Sequence, residues 1–232
     1  IMKNQVLDKG FIEVVDSLGN DLTVVNSARV SFGKRKKYWD KSDERLVRYL
    51  AKHKHYSPFR HLQVQFHIKA PEFVMRQWYK HVVGIETTSN GATKDHAWNE
   101  ISGRYVEVQD YYKPSAYRQQ SEDNKQASEG EIQQQELADF VWDSTMRSVK
   151  EAYDGLLKLG VAKEQARAML PLSQYTEVYW TASFQAIMNF IELRNEKTSQ
   201  WEIQEYAKVL LEQTKETFPK TTELWSEAHG WV

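Results

Sequence analysis

Between Leu62 and Lys69 the chain alternates apolar and polar side chains without a break: Leu62-Gln63-Val64-Gln65-Phe66-His67-Ile68-Lys69. A period of two puts every second side chain on one face, so this segment must be a strand with one face in a core and the other turned to solvent or a site. Pro71 follows almost at once, and its fixed φ and missing N–H suit the first turn of a helix over 71–81. On that helix Val74 and Trp78 take the packed side. Arg76 with Lys80 and Gln77 with His81, each four apart, form adjacent rows on a polar stripe.

Other elements are read the same way. Val6-Leu7 and Phe11 to Val15 predict two short strands, with turn chemistry at Asp8-Lys9-Gly10. Asn20-Asp21 caps a helix carrying Leu22, Val25 and Ala28, and Ser42-Asp43-Glu44 opens another carrying Leu46, Tyr49 and Leu50. A loop over 83–98 enters a strand at 99–108, and 112–130, rich in Gln, Ser, Lys and Glu, is an exposed excursion. Ser128 and Glu131 have capping-box spacing for a long helix through Leu137, Phe140, Val141, Val149 and Tyr153 that ends at Gly160. A short helix over 163–170, a strand over 176–180, a helix capped by Ser183 and a final helix over 200–217 complete the reading. No internal repeat is found.

The 232 residues are 41% apolar and 27% charged, enough for one globular domain over 1–232 and incompatible with wholesale disorder. With 31 Lys and Arg against 32 Asp and Glu, any anion site must be local, and no nucleic-acid partner is implied. No apolar run approaches the roughly 20 residues that cross a bilayer, so no membrane partner and a cytoplasmic location are expected. Ile1 stands ahead of Met2 and is read as a leftover preceding an initiator. Cysteine is absent, which removes disulfides, thiolate metal sites and a cysteine nucleophile at once.

Three groups can carry chemistry. Ser102-Gly103-Arg104 offers a hydroxyl, an unencumbered N–H and a planar guanidinium at a loop-to-strand junction, which suits a phosphate, but such triplets are common and the motif alone reads more simply as an ordinary surface strand. The face Arg76, Gln77, Lys80, His81 reads as either a solvated stripe or a basic site wall, with Glu100, Arg104, Arg167 and Arg194 as candidate companions. Arg194 could instead simply complement its helix C-terminus. His53, His55, His61 and His67 lack H-E-x-x-H spacing, so no metal is assigned. Walker, dinucleotide-fingerprint and G-x-S-x-G motifs are also missing.

Read in order, Leu7-Asp8-Lys9-Gly10-Phe11, Ala28-Arg29-Val30-Ser31, His53 to Phe59, Phe66 to Pro71, Arg76-Gln77-Trp78, Asn99 to Tyr105, Ala166 to Leu172 and Asn189 to Arg194 resemble the flavin-dependent thymidylate synthases over nearly the whole chain. The resemblance implies an α+β fold with a central, mostly antiparallel sheet flanked by helices. It implies a homotetramer that methylates dUMP to dTMP with methylenetetrahydrofolate as carbon donor, FAD as redox carrier and NADPH as reductant, releasing tetrahydrofolate. By the same resemblance Gln77, Lys80, Glu100, Ser102, Gly103, Arg104, Arg167 and Arg194 fall at dUMP positions, with Arg194 polarising the uracil, and Trp78 is added to the dUMP set as an aromatic able to stack on a planar ring. Ser57, Lys80, His81, Val82, Glu100, Ser183, Gln185 and Asn189 fall at FAD positions, some of them reached from neighbouring subunits.

The chain departs from the family pattern. R-H-R followed by seven residues and Ser is here Lys80-His81-Val82, and 19 residues, Val83 to Ile101, separate it from Ser102. Lysine keeps a charge but not the bidentate fork, and valine removes a charge. Gln185 and Ser183 stand where the family often has Arg and Asn. Methylation at uracil carbon 5 needs electron density there. A chain without a thiol cannot create it by thiolate addition at carbon 6, whereas a reduced flavin delivering hydride, with Arg194 opposite the developing negative charge, can. Ser102 as a nucleophile would need an adjacent base, and none is evident in the sequence. A flavoenzyme acting on another pyrimidine nucleotide and a non-catalytic nucleotide-binding paralogue remain open alternatives.

Overall fold

The computed structural model describes residues 2–81, 87–88, 91–92, 96–107 and 110–231. Its strands are β1 (Met2–Val6), β2 (Gly10–Leu18), β3 (Gln63–Pro71), β4 (Thr87–Thr88), β5 (Gly91–Ala92), β6 (His96–Glu100), β7 (Arg118–Gln120), β8 (Ser128–Glu131) and β9 (Tyr175–Ser183). The helices are α1 (Asp21–Arg29), α2 (Lys41–Lys52), α3 (Glu72–Trp78), α4 (Gln135–Lys158), α5 (Lys163–Ala166), α6 (Phe184–Arg194), α7 (Trp201–Thr217) and α8 (Pro219–His229). Single 3₁₀ turns occupy Val30–Phe32, Ser57–His61 and Arg167–Met169. One five-stranded sheet runs β1-β2-β3-β9-β6 with every neighbouring pair antiparallel, as the α+β expectation required.

The alternation of β3 sets the layers. Val64, Phe66, Ile68 and Ala70 are buried, while Gln63, Gln65, His67 and Lys69 face outward. Across the buried face Phe66 pairs with Trp180 of β9, and Trp180 with Trp98 of β6. The three rings stack along the row at centroid distances of 5.7 and 5.2 Å. Helices α6 and α7 lie over this aromatic row and bury Phe184, Ile187, Phe190, Ile203, Tyr206 and Leu210. On the outer face His67 sits between Glu177, 3.0 Å away, and Glu13, 3.8 Å away, and Lys69 pairs with Asp110 at 2.7 Å, so the polar half of the alternation is used in contacts with carboxylates.

Gly10, the first residue of β2, is required by close approach: a Cβ there would collide with the Tyr206 hydroxyl, which donates to the Lys69 carbonyl at 2.7 Å. Capping follows the sequence signals at two helices. The Asn20 N–H donates to Thr23 Oγ1 (3.0 Å) at α1, and Ser183 Oγ accepts from the Ala186 N–H (3.3 Å) at α6. Helix α2 is capped two residues earlier than Ser42, by Asp40, whose carboxylate accepts from the Ser42 N–H.

Several expectations are corrected. Ser128 and Glu131 do not cap α4; they form β8, paired with β7, and Gly130 takes the left-handed φ of +56°. The helix starts at Gln135 because that side chain brackets the Tyr117 backbone, accepting from its N–H at 2.8 Å and donating to its carbonyl at 2.7 Å. The strand expected over 99–108 is shifted toward the N-terminus, to His96–Glu100. The chain then turns, with the Tyr105 and Val106 N–H groups both donating to the Ser102 carbonyl. The helix expected over 71–81 stops at Trp78, with Pro71 ending β3 as the cap. A further helix, α8, opens on Pro219 at its first turn and went unread in the sequence.

The tie between α1 and α2 yields a stability prediction. Asp43 is fully buried and accepts from Arg29 Nη2 (2.8 Å), Lys36 Nζ (2.6 Å) and the Asp40 N–H (2.9 Å). Burial alone would raise its pKa, but the Lys36, Asp40 and Arg29 hydrogen bonds hold the carboxyl below its ordinary 3.8. Asp43→Ala, which strands two cations, is expected to cost about 3 kcal/mol by denaturant unfolding at pH 7. Because the folded value is depressed, this stabilisation is present above the ordinary value of 3.8 and is lost as pH falls through the folded value. The variant should therefore show less acid destabilisation below pH 3.8 than the parent, and equal acid sensitivity would remove Asp43 from this role.

Candidate active site

Helix α3 organises the site because its first turn is fastened from outside. Its Glu72 and Phe73 N–H groups, which lack intrahelical partners, donate to the Gln174 and Leu172 carbonyls. This draws the 167–174 segment against the helix. On the other side β6 continues its ladder by one bond, from the Ile101 N–H to the Glu177 carbonyl, before the 102–106 turn. Lys163 of α5 ties back to that turn through the Tyr105 carbonyl (3.4 Å) and Glu107 (3.5 Å).

The result is a cleft of about 710 Å³ whose walls include Arg76, Glu100, Ser102, Arg104 and Arg167, with Gly103 on its rim. A Cβ on Gly103 would meet Arg167 Cδ at 3.5 Å, so the bare glycine backbone and that guanidinium stem lie side by side. Ser102 Oγ accepts from the Arg104 N–H and Nε, both at 3.3 Å. It bonds no histidine or carboxylate among the described residues, so the structure supplies no base for a serine nucleophile. Arg76, Arg104 and Arg167 make no ion pair among the described residues. Three forked cations beside a hydroxyl and an open backbone suit a phosphate monoester. The same cleft also carries acidic groups: Thr176 Oγ1 donates to Glu100 at 2.6 Å, while burial, reinforced by the Glu100 charge, raises the Glu72 carboxyl above its ordinary pKa.

One residue further along α3 begins a second cluster. Arg194, half-buried at the end of α6, donates from Nε to His81 Nε2 at 2.7 Å and from Nη1 to Gln77 Oε1 at 3.5 Å. Since arginine only donates, His81 accepts at Nε2 and is the neutral ring protonated at Nδ1. Gln77 Nε2 donates in turn to Gln200 Oε1 at 2.6 Å, which fixes the amide orientation. Burial lowers the Arg194 pKa, marking a guanidinium withdrawn from water.

The remaining candidates separate. Trp78 has no exposed surface; its ring stacks on Phe190 at 4.2 Å and belongs to the core, which corrects its placement against dUMP. Lys80 is exposed in the turn after α3 and is off the row it was expected to share with Arg76. Ser183 is wholly buried, its Oγ accepting the capping bond of α6. Ser57 is exposed on the 3₁₀ turn, and Gln185 and Asn189 lie one turn apart on α6. Val82 lies outside the described residues, as does most of the loop read over 83–98. Glu72 and Gln200 were missed; single polar residues at element ends carry no periodic signal.

The thymidylate synthase complementing protein family, Thy1, matches residues 13–220. The chain belongs to this family. A flavin-dependent thymidylate synthase of Thermosipho melanesiensis is 42% identical over 227 residues, 96% of this chain and 93% of that protein. One from Thermus thermophilus is 41% identical over 219 residues, covering 92% of this chain and 74% of that protein. Among solved structures, the UMP/dUMP methylase PolB from Streptomyces cacaoi, bound with 5-Br dUMP, superposes with a TM-score of 0.82 at 29% identity, covering 97% of each chain. The Thy1 match spans β3, the Ser102-Gly103-Arg104 turn and Arg194, so the match includes both clusters. Among the described residues no group of three or more potential ligands could hold a metal ion, and no helix is long and apolar enough to cross a membrane.

Proposed function

We propose that this chain is a flavin-dependent thymidylate synthase, converting dUMP to dTMP with methylenetetrahydrofolate, FAD and NADPH and giving tetrahydrofolate. The observation that carries the reading is the meeting of two clusters on α3, with Arg76 in the phosphate-suited cleft and its neighbour Gln77 holding Arg194. In this reading Ser102, Gly103, Arg104 and Arg167 hold the dUMP phosphate, and Gln77 and Arg194 face the uracil. Arg194, withdrawn from water, opposes negative charge on the ring oxygen or nitrogen more strongly than a solvated guanidinium would. Lys80 and Glu100 stand at the edge shared by nucleotide and cofactor.

A flavin dinucleotide suits the donor set of His81, which contacts Arg194, with Ser57 and Asn189. Neutral His81 beside a guanidinium, the half-exposed amide of Asn189 and the exposed Ser57 offer hydrogen bonds and positive charge with no competing metal cluster among the described residues. FAD, when bound there, supplies the reducing equivalents that thiol-dependent synthases draw from the folate. Ser57, Gln185 and Asn189 would line it, with Lys80, His81, Val82 and Glu100 toward the substrate. The buried Ser183 would contribute by fixing the start of α6.

The same reading includes a homotetramer. Helix α4 exposes Leu137, Phe140 and Val141 beside an apolar groove walled by Phe73, Trp142, Met146 and Leu172, a surface that supports association between copies. One domain over 1–232 is supported by a core that joins residues from Val6 to Trp225.

A second reading is favoured by one observation: the PolB likeness is to a methylase of both UMP and dUMP. The test is dTMP formation from dUMP, methylenetetrahydrofolate and NADPH, with FAD omitted in one arm and UMP replacing dUMP in another. FAD-dependent product from dUMP is expected. Preferred methylation of UMP would move the assignment to the second reading, and absence of product in every arm, with no FAD bound, would leave the non-catalytic paralogue.

A further inference from the structure

We propose that Arg60, a residue outside every assignment above, is the cation that binds the anionic phosphate portion of the flavin dinucleotide in this chain. The proposal rests on the flavin reading and adds a residue to it. Arg60 lies on the 3₁₀ turn Ser57–His61, where three residues make one turn, so Ser57 and Arg60 share a face. On α6, Gln185 and Asn189 are four apart and share a face as well. Arg60 Nε donates to Gln185 Oε1 at 2.6 Å, and this bond joins the two faces into a single patch of Ser57, Arg60, Gln185 and Asn189.

Within that patch the charges do not balance. Arg60 is half-buried, yet its hydrogen-bond partner among the described residues is a neutral amide, and it forms no ion pair with a carboxylate there. Gln185 is only 5% exposed and holds the guanidinium in one orientation, leaving its two terminal nitrogens for a ligand. A guanidinium oriented in this way, with hydroxyl and amide groups around it, matches the forked geometry of a phosphate or pyrophosphate oxygen pair. The bond also accounts for the chain's departure at position 185. An amide there carries no charge of its own, but it brings the charge of Arg60 to the same spot from a neighbouring element.

The test is FAD binding to the purified chain, followed by quenching of flavin fluorescence, with riboflavin, which lacks phosphate, as the comparison ligand. Arg60→Gln is expected to weaken FAD binding at least about tenfold, the scale of a lost charge-assisted hydrogen bond, and to leave riboflavin binding within about twofold. Arg60→Lys, which keeps the charge without the fork, should fall between the two. The double variant Arg60→Gln with Gln185→Arg, which returns the cation from the helix side, should recover affinity to within about threefold of the parent. An unchanged FAD affinity in Arg60→Gln, or an equal loss for riboflavin, would overturn the assignment. A parent chain that binds neither flavin would instead overturn the flavin reading beneath it.

Discussion

Arg194→Ala is expected to lower dTMP turnover by about two to three orders of magnitude, the loss seen when one preorganised donor is removed from developing charge. The geometry explains why the effect should fall on turnover rather than on folding. Arg194 is in the last turn of α6 and only half-buried, and its described bonds run to His81 and Gln77, not to a carboxylate. Loss of a cation at a helix C-terminus costs about 0.5 kcal/mol, so circular dichroism melts should be nearly superimposable. The dUMP phosphate would still meet Arg104 and Arg167, so the Michaelis constant for dUMP should change far less than kcat. Near-parental kcat in the variant would remove Arg194 from the chemistry.

The largest stability effect is expected at Trp78. Its indole stacks on Phe190 at 4.2 Å and meets Trp180 and Tyr206 edge-on at 5.4 and 6.1 Å, with no exposed surface. Trp78→Ala should cost about 3–5 kcal/mol in urea unfolding, the sum of lost apolar transfer and an unfilled cavity. A nucleotide-stacking role gives the opposite pattern, with little change in unfolding midpoint and a raised Michaelis constant for dUMP. Observing that pattern would return Trp78 to the substrate site and contradict its place in the core.

These two residues show what the sequence makes legible. The period of β3 placed Val64, Phe66 and Ile68 inward because strand alternation is a geometric necessity once one face is buried. The same logic put Val74 and Trp78 on the packed side of α3, and the structure keeps them there. Trp78 was also placed against dUMP as an aromatic able to stack on a planar ring, although burial in this chain assigns it to packing. What the sequence concealed was decided by long-range hydrogen bonds. The Ser128 and Glu131 pair has the spacing of a capping box, but strand pairing with 118–120 claims it, and the true start of α4 is chosen by Tyr117, eighteen residues before Gln135.

The candidate site divides along the same line. Ser102, Gly103 and Arg104 were readable because a compact motif stays compact when folded, even though the turn follows its strand instead of leading into one, whereas Arg167 joins them in the cleft only through the fold. The convergence of Gln77, His81 and Arg194 depends on α3 ending at Trp78, which turns His81 back toward α6. No local signal specifies that. Arg60 and Gln185, separated by 125 positions, are joined only in three dimensions.

A chain without cysteine methylates uracil reductively, with electrons that do not come from the folate. The folate product tests this most directly. In single-turnover reactions with dUMP, methylenetetrahydrofolate, FAD and NADPH, chromatography of the folates should show tetrahydrofolate forming in step with dTMP, with one NADPH consumed per dTMP. Dihydrofolate appearing in equal amount to dTMP, with NADPH untouched, would show that the folate itself is the reductant and would contradict the mechanism.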